Sequence, residues 1–371
     1  MHADNSYFCT PNLEPEMIET HNINIQKTTS SKLPEIDFAN LAFGKTFADH
    51  MFVMDFVDGR WQEPMIMPFQ DMTMSPASLV IHYGQSIFEG MKAFKNTDGR
   101  FGLFRPDLNI KRMNKSAVRM CMPEIPEDIF MDALSELVSL DHQWIPTGEL
   151  ASLYIRPVLF AIDDYIGVKA SQSYRFMILL APVNAYYTKP VRVKIEREFT
   201  RAAQGGTGYA KTAGNYAGSL YPAKLANDQG YDQLLWTDAK EHAYIEESGT
   251  MNIMFVIEGK LITPSLGETI LDGVTRRSAI QLAKDWGIDV EERRVSVIEL
   301  QEAMNNDTLE EAFGCGTAAT IAHIEAIADG ESVYQLPNVE DRKLSNKMMK
   351  HFIDLKKFRV NDPHGWMVEL S

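Results

Sequence analysis

The sequence predicts a mixed α/β protein of two domains. Its 371 residues correspond to roughly two units at the usual 100–200 residues per domain. Strand-like and helix-like apolar periods alternate in both halves. The pattern breaks once, at 184–190, where Asn184, Lys189 and Pro190 interrupt it.

Residues 1–35 are polar, carry Glu14, Glu16 and Glu19, and contain no apolar core of a secretory signal. They read as an N-terminal arm, and their acids argue against a mitochondrial presequence. The small domain is expected over 36–183. Apolar runs at 52–57 and 61–69 flank Asp58-Gly59, a hairpin signal. Pro106 and Asp107 open a helix in which Ile110, Met113, Ala117 and Met120 follow at helical spacing before Pro123. A second helix over 127–140 carries Ile129, Ala133, Leu134, Leu137 and Val138 on one face. Runs at 153–162 and 174–181 read as buried strands.

The large domain is expected over 191–371. Val191, Val193 and Ile195 alternate as a strand, and Gly205-Gly206-Thr207-Gly208 is a loop. A helix is predicted over 215–228, ending at Gly230. Strands follow at 233–236, 243–245 and 251–257, the last turning at Glu258-Gly259. A helix over 274–286 stops at Gly287. A strand at 311–313 runs into Gly314-Cys315-Gly316-Thr317, and an amphipathic helix at 341–357 closes the chain.

Charge narrows the function. Lys plus Arg number 36 and Asp plus Glu 51, a net charge of −15. Such a surface repels phosphate backbones and anionic lipid heads, so neither nucleic acid nor membrane is an expected partner. The longest apolar run, 176–183, is too short to span a bilayer. Cys9, Cys121 and Cys315 are odd in number and widely spaced, which indicates neither a disulfide framework nor a zinc site. Reduced thiols and a cytoplasmic location are expected, with no metal.

Common catalytic signatures are absent: there is no HExxH, CxxC, G-x-S-x-G or Walker A sequence. What remains is a set of glycine-rich strand ends, where backbone can approach a ligand closely. Lys211 lies among small neighbours in Gly208-Tyr209-Ala210-Lys211-Thr212-Ala213-Gly214, leaving room for a bulky group on its amine. A lysine used in Schiff-base chemistry must be neutral part of the time, which partial burial favours. Glu246 and Glu247 are adjacent acids, so in an extended chain one can face solvent and the other a pocket. Leu271-Asp272-Gly273-Val274-Thr275-Arg276 enters a helix whose free N–H groups suit a phosphate, and Gly316-Thr317 adds amides and a hydroxyl. A lysine, a carboxylate and a phosphate cup are the parts a pyridoxal phosphate enzyme needs. Taken singly, each of these residues is also what an ordinary solvated loop or helix start provides.

Six blocks occur in the order found in the branched-chain amino acid aminotransferases, which this chain resembles from about Leu41 to its C-terminus. They are Tyr83 with Phe88-Glu89-Gly90-Met91-Lys92-Ala93-Phe94; Leu103-Phe104-Arg105-Pro106 running to Arg112-Met113; Gly205 to Tyr216 around Lys211; Glu247-Ser248-Gly249-Thr250-Met251-Asn252; Gly273-Val274-Thr275-Arg276-Arg277; and Phe313-Gly314-Cys315-Gly316-Thr317-Ala318. The resemblance implies fold type IV of the pyridoxal phosphate enzymes, two mixed α/β domains with a connecting loop, and a homodimer.

By the same resemblance, Lys211 is the catalytic lysine that forms the internal aldimine with pyridoxal 5′-phosphate and moves the substrate proton. Glu247 faces the pyridine nitrogen, Tyr216 the cofactor O3′, and Arg112 the phosphate, with Val274, Thr275 and Thr317 completing the cup. Thr250 and the Ala318 amide would receive the substrate carboxylate. Phe43, Tyr83, Phe88, Tyr154 and Tyr186 would wall the side chain, Arg156 would orient the small-domain face, and Val168 would reach across from the other subunit. Vertebrate members carry a C-x-x-C pair where this chain has Ala319 and Ala322, so no redox switch is expected there. The implied reaction is ping-pong transamination of leucine, isoleucine and valine with 2-oxoglutarate. Two alternatives stay open: a D-amino acid aminotransferase or aminodeoxychorismate lyase of the same fold, and a non-catalytic binder of a phosphate ligand.

Overall fold

The computed structural model describes residues 22–187 and 189–371. Residues 1–21, with Cys9 and most of the expected arm, lie outside the described residues. Two ten-stranded sheets organise the rest.

The first sheet runs, in spatial order, Asn24–Ile25, Met65–Pro68, His50–Val57, Tyr174–Val183, Ser152–Ala161, Met91–Lys95, Phe101–Phe104 and Met367–Leu370. Arg60–Trp61 folds back on His50–Val57 across Asp58-Gly59, as expected of that turn. Ser86–Phe88 pairs with Ser152–Ala161. Helices Pro106–Arg119 and Glu127–Leu140 cover one face. Their apolar stripes, with Met113, Ala117, Phe130 and Leu134, meet Phe52, Leu153, Ile155 and Phe176 in one core. Pro106 at the first helical position has its backbone angle already set for a helix.

The chain enters the second sheet at Val191–Ile195. Its central strands form a ring. Val191–Ile195, Gln233–Thr237, Tyr244–Ser248, Met251–Ile257, Leu309–Gly316 and Thr320–Asp329 pair in succession, and the last returns to the first. Closure removes free edges. Ile195, Leu235, Ile253, Phe255, Ile324 and Ile327 fill one core of this sheet. Helices Val274–Asp285 and Leu344–Lys356 pack outside the ring on Met254, Phe313 and Cys315, together with Phe94 and Phe104 from the first sheet.

Several elements depart from the sequence reading, among them helix Val297–Asn305, which it lacks. The helix expected over 215–228 is two helices, Ala213–Gly218 and Leu220–Asp228. Ser219 separates them, and its hydroxyl donates to the Tyr216 carbonyl at 2.8 Å, a local bond that competes with the helical ladder. The strand expected at 243–245 is Tyr244–Ser248, so Glu246 and Glu247 belong to a strand rather than a loop. Thr320–Asp329 is a long strand absent from the sequence reading. Helix Leu344–Lys356 does not close the chain, because Met367–Leu370 crosses back to pair with Phe101–Phe104 of the first sheet.

Candidate functional site

Between the two sheets lies a cavity of about 660 Å³, a size typical of small-molecule sites. Lys211, Arg112, Tyr216, Glu247, Thr250, Val274, Thr275, Thr317 and Ala318 all border it, as do Phe43, Phe88, Tyr154, Arg156 and Tyr186. Tyr83 and Val168 do not. Tyr83 ends helix Leu79–Tyr83 and is 45% exposed, and Val168 is 89% exposed.

Lys211 sits on a segment pinned from both sides. Its amide donates to Ser116 Oγ at 2.9 Å, its carbonyl accepts from the Phe88 amide at 3.0 Å, and Thr212 Oγ1 donates to the Ser86 carbonyl at 2.8 Å. Asn215 closes the preceding loop through the Thr207 and Ala210 carbonyls. The Lys211 Nζ lies 2.5 Å from the Tyr216 hydroxyl and 4.7 Å from the centre of the Phe88 ring. The amine is thus held at the junction of the two sheets.

Glu247 lies in the wall of the cavity and is 3% exposed. One oxygen accepts from the Leu271 amide at 2.8 Å and from Asn252 Nδ2 at 3.3 Å. The other lies 3.2 Å from Arg201 Nε, yet that nitrogen makes no aligned hydrogen bond. Burial pushes the Glu247 carboxyl above the ordinary range, against the opposing pull of Arg201. Glu246 does not face solvent as expected. It is 8% exposed and accepts from Thr269 Oγ1 at 2.5 Å. Strand alternation does separate the two acids, but both are buried, Glu246 against Thr269 and Glu247 against the Leu271 amide and Asn252.

Helix Val274–Asp285 begins at the cavity with Gly273 as its cap and no side chain on its first amides. A Cβ on Gly273 would collide with Asn252 Oδ1. Glycine therefore lets the helix start approach the strand carrying Asn252, and its N–H groups remain available for an anion.

Arg112 carries a surprise for the sequence reading. Its Nε and Nη2 each donate at 2.8 Å to the two oxygens of Glu89, and Nη1 donates to the Asp272 carbonyl at 2.9 Å. The guanidinium expected to face a phosphate thus spends its bidentate edge on this buried partner. Two of the five N–H donors of a guanidinium remain outside those three bonds, and Arg112 still borders the cavity. Asn109 Nδ2 adds a bond of 2.8 Å to Glu89. Burial raises the Glu89 carboxyl, but Arg112, with Lys211 and Asn109, outweighs it and leaves the group below its ordinary value.

The apolar wall is aromatic and contiguous. Phe43 meets Tyr154 and Tyr186 edge-on at 5.1 and 5.0 Å. The Arg156 guanidinium stacks 4.6 Å above Phe88, donates to the Tyr154 hydroxyl at 2.9 Å, and keeps a buried Nε without a partner. Opposite, the Ala318 carbonyl accepts from Lys92 Nζ at 2.6 Å, which fixes the turn after Thr317.

Glu89, Asn109, Arg201, Asn252 and Lys92 had been given no role from the sequence. A signal existed for two of them. Glu89 and Lys92 are charges within 86–94, whose other residues are mostly apolar, and a buried charge must find a partner. Among the described residues no helix is long and apolar enough to cross a membrane, and no group of three or more His, Cys, Asp or Glu is placed to hold a metal.

The family model for class IV amino-transferases matches residues 86–327. A branched-chain-amino-acid transaminase 1 of Bacillus subtilis is 48% identical over 340 residues, covering 90% of this chain and 95% of its own. A branched-chain-amino-acid aminotransferase 2 of the same organism is 44% identical over 347 residues, covering 92% and 96%. A branched-chain aminotransferase of Thermoproteus uzoniensis, solved with norvaline, superposes with a TM-score of 0.72 at 24% identity, covering 87% of this chain and 100% of its own. Family model and relatives agree over most of the length, and the chain belongs to the branched-chain amino acid aminotransferases of class IV.

Proposed function

We propose that this enzyme transfers the amino group of leucine, isoleucine or valine to 2-oxoglutarate, using pyridoxal 5′-phosphate in a ping-pong cycle. The observation that carries the reading is Lys211 Nζ, beside Tyr216 in a cavity that also presents Glu247 and an uncapped helix start. The donor set fits the cofactor, with an amine at the centre, a carboxylate on one side, and free amides with a guanidinium edge on another. When bound, pyridoxal 5′-phosphate supplies an electron sink for the bond broken at the substrate α-carbon.

The chain's own residues do the remaining work. Lys211 Nζ accepts and returns the α-proton, and the Tyr216 hydroxyl holds it in line. Glu247 places a negative charge where a protonated ring nitrogen is needed, and the Leu271 amide and Asn252 Nδ2 keep that carboxylate oriented. Val274, Thr275, Thr317 and the outer edge of Arg112 hold the phosphate. Thr250 and the Ala318 amide receive the α-carboxylate. Phe43, Phe88, Tyr154 and Tyr186 exclude water from the side-chain end, while the Arg156 guanidinium, which borders the cavity, offers a cation to the second carboxylate of glutamate. An aliphatic wall contact distinguishes one methylene by only about 1–3 kcal/mol, so the three substrates should react at comparable rates.

Tyr83 and Val168 belong in this reading to a homodimer. Ile81, Tyr83, Tyr165, Ile166 and Val168 are 45–89% exposed, and backbone bonds from Leu79 to Asp163 and from Tyr165 to Ala77 join the two segments that carry them. An exposed apolar patch of this kind marks an interface, through which Val168 would reach the partner's cavity. The buried thiol of Cys315 suits a reducing compartment, the cytoplasm.

The test is an absorbance titration of the purified holoenzyme with L- and D-amino acids. L-Leucine, L-isoleucine and L-valine should bleach the visible band, and 2-oxoglutarate should restore it. Bleaching by D-alanine and not by L-leucine would overturn the substrate assignment. A protein that stays colourless with added cofactor would overturn the reaction.

A further inference from the structure

Behind the Ala318 turn, away from the cavity described above, three lysines converge. Lys92 comes from strand Met91–Lys95, Lys356 ends helix Leu344–Lys356, and Lys357 follows it. They are 6%, 6% and 2% exposed. All three border a separate cavity of about 50 Å³, together with Ala318, Ala319 and Thr320.

Every hydrogen bond described for these amines goes to a neutral oxygen. Lys92 donates to the Ala318 carbonyl at 2.6 Å and Lys356 to Thr320 Oγ1 at 2.9 Å. Lys357 donates to the Lys95 and Ala151 carbonyls at 3.1 and 3.3 Å. Glu149 also borders the cavity, but both of its oxygens are taken by Arg359 at 2.6 Å. Among the described residues, no carboxylate forms an ion pair with any of the three. Each ammonium has three donors, so Lys92 and Lys356 each have two left beyond these bonds.

Buried charges are ordinarily paired; here Lys356 has the faces of Phe94, Phe104 and Phe352 at 4.9–5.2 Å, but no anion is supplied to the three amines. We infer that the cavity binds one small monovalent anion, a halide or a carboxylate no larger than formate, between Lys92, Lys356 and Lys357. The volume sets the size limit. One water needs about 10–15 Å³ on the same measure, so about 50 Å³ admits a few heavy atoms and excludes a sugar acid. The cost of leaving the site empty points the same way: burial lowers Lys356 to about 7, with the Lys92 charge adding to it, and burial lowers Lys92 to about 8. A bound anion would offset that repulsion and keep Lys92 charged against the Ala318 carbonyl. It would thereby hold the turn whose amide receives the substrate carboxylate. That last consequence rests on the transaminase reading; the binding itself does not.

The binding test is anomalous diffraction from holoenzyme crystals soaked in bromide. One peak is expected within hydrogen-bonding reach of Lys92 and Lys356 Nζ, and it should vanish in Lys356→Met and, independently, in Lys92→Met. No peak in the wild type, or a peak that persists in both variants, overturns the site. In solution at constant ionic strength, chloride and formate should raise the melting temperature of the holoenzyme relative to gluconate, and equal melting in all three salts overturns it as well. If the anion holds the turn, KM for L-leucine should fall several-fold from gluconate to chloride with kcat unchanged. A KM insensitive to chloride, with the bromide peak present, would overturn the coupling while leaving both the site and the transaminase activity standing.

Discussion

Two buried carboxylates, Glu247 in the wall of the cavity and Glu89 behind Arg112, each lie beside an arginine, and they behave in opposite ways. Glu89 is met by Arg112 through two aligned bonds of 2.8 Å and by Asn109 through a third. Its charge is compensated, and its carboxyl is held below the ordinary range. Glu247 has Arg201 Nε at 3.2 Å without hydrogen-bond alignment, and burial holds its carboxyl above the ordinary range. Burial is nearly the same at 0% and 3% exposure, so the surroundings decide the difference: aligned bonds from Arg112 and Asn109 for Glu89, and an unaligned arginine with the like charge of Glu246 nearby for Glu247. One pair is structural and complete. The other is a charge still short of a counter-charge, and a protonated ring nitrogen is the group that would complete it.

The largest expected effect lies at the amine between them. Lys211→Ala should lower transamination by at least about 10²–10⁴-fold, the range for losing a positioned proton carrier. A coupled glutamate-formation assay checks it, and turnover near wild type would remove the centre around which both carboxylates are arranged.

Next comes the complete pair. Glu89→Ala strands the Arg112 guanidinium in a buried site and should cost about 3–5 kcal/mol of stability, read by urea unfolding. Glu247→Gln should do the reverse in the cofactor-free protein. It removes a carboxylate that burial disfavours while keeping an acceptor for the Leu271 amide, so the melting temperature should rise. In the holoenzyme the same substitution should leave the cofactor bound and lower kcat, because the counter-charge is gone. Stabilisation with loss of activity is the mark of a site residue, and destabilisation by Glu247→Gln would erase the contrast.

A smaller effect appears in the pH dependence of the cofactor-free protein. The folded-state pKa of Glu89 is lowered, so its contribution to stability is present above the unfolded carboxyl value and is lost as pH falls through the folded one. That of Glu247 is raised, so the folded state binds its proton more tightly. Stability then declines as pH rises from the unfolded carboxyl value through the folded one. Unfolding free energy measured against pH should lose the acid-side slope in Glu89→Ala and the opposing slope in Glu247→Gln. Identical profiles for the two variants would contradict the assignment.

The contrast also marks what the sequence could and could not tell. Helix Glu127–Leu140 and strands Val191–Ile195 and Met251–Ile257 match their predicted limits, because the first two carry one apolar face at a clear period and the third is a nearly continuous apolar run between Gly249 and Gly259. The lysine, the second glutamate of the pair and the helix start stood out through their small neighbours, and the ordered blocks around them gave them roles. Partners distant in sequence were not legible. Glu89 meets Arg112 across 23 positions and Arg201 reaches Glu247 across 46, distances no periodicity encodes. Closure of the second sheet, and the return of Met367–Leu370 to the first, depend on pairings that local pattern cannot choose.

The most direct test is nitrogen-15 NMR of holoenzyme carrying ring-labelled pyridoxal 5′-phosphate. The ring nitrogen should be protonated in wild type and neutral in Glu247→Gln. A neutral nitrogen in wild type, or a protonated one in both proteins, would contradict the role given to Glu247.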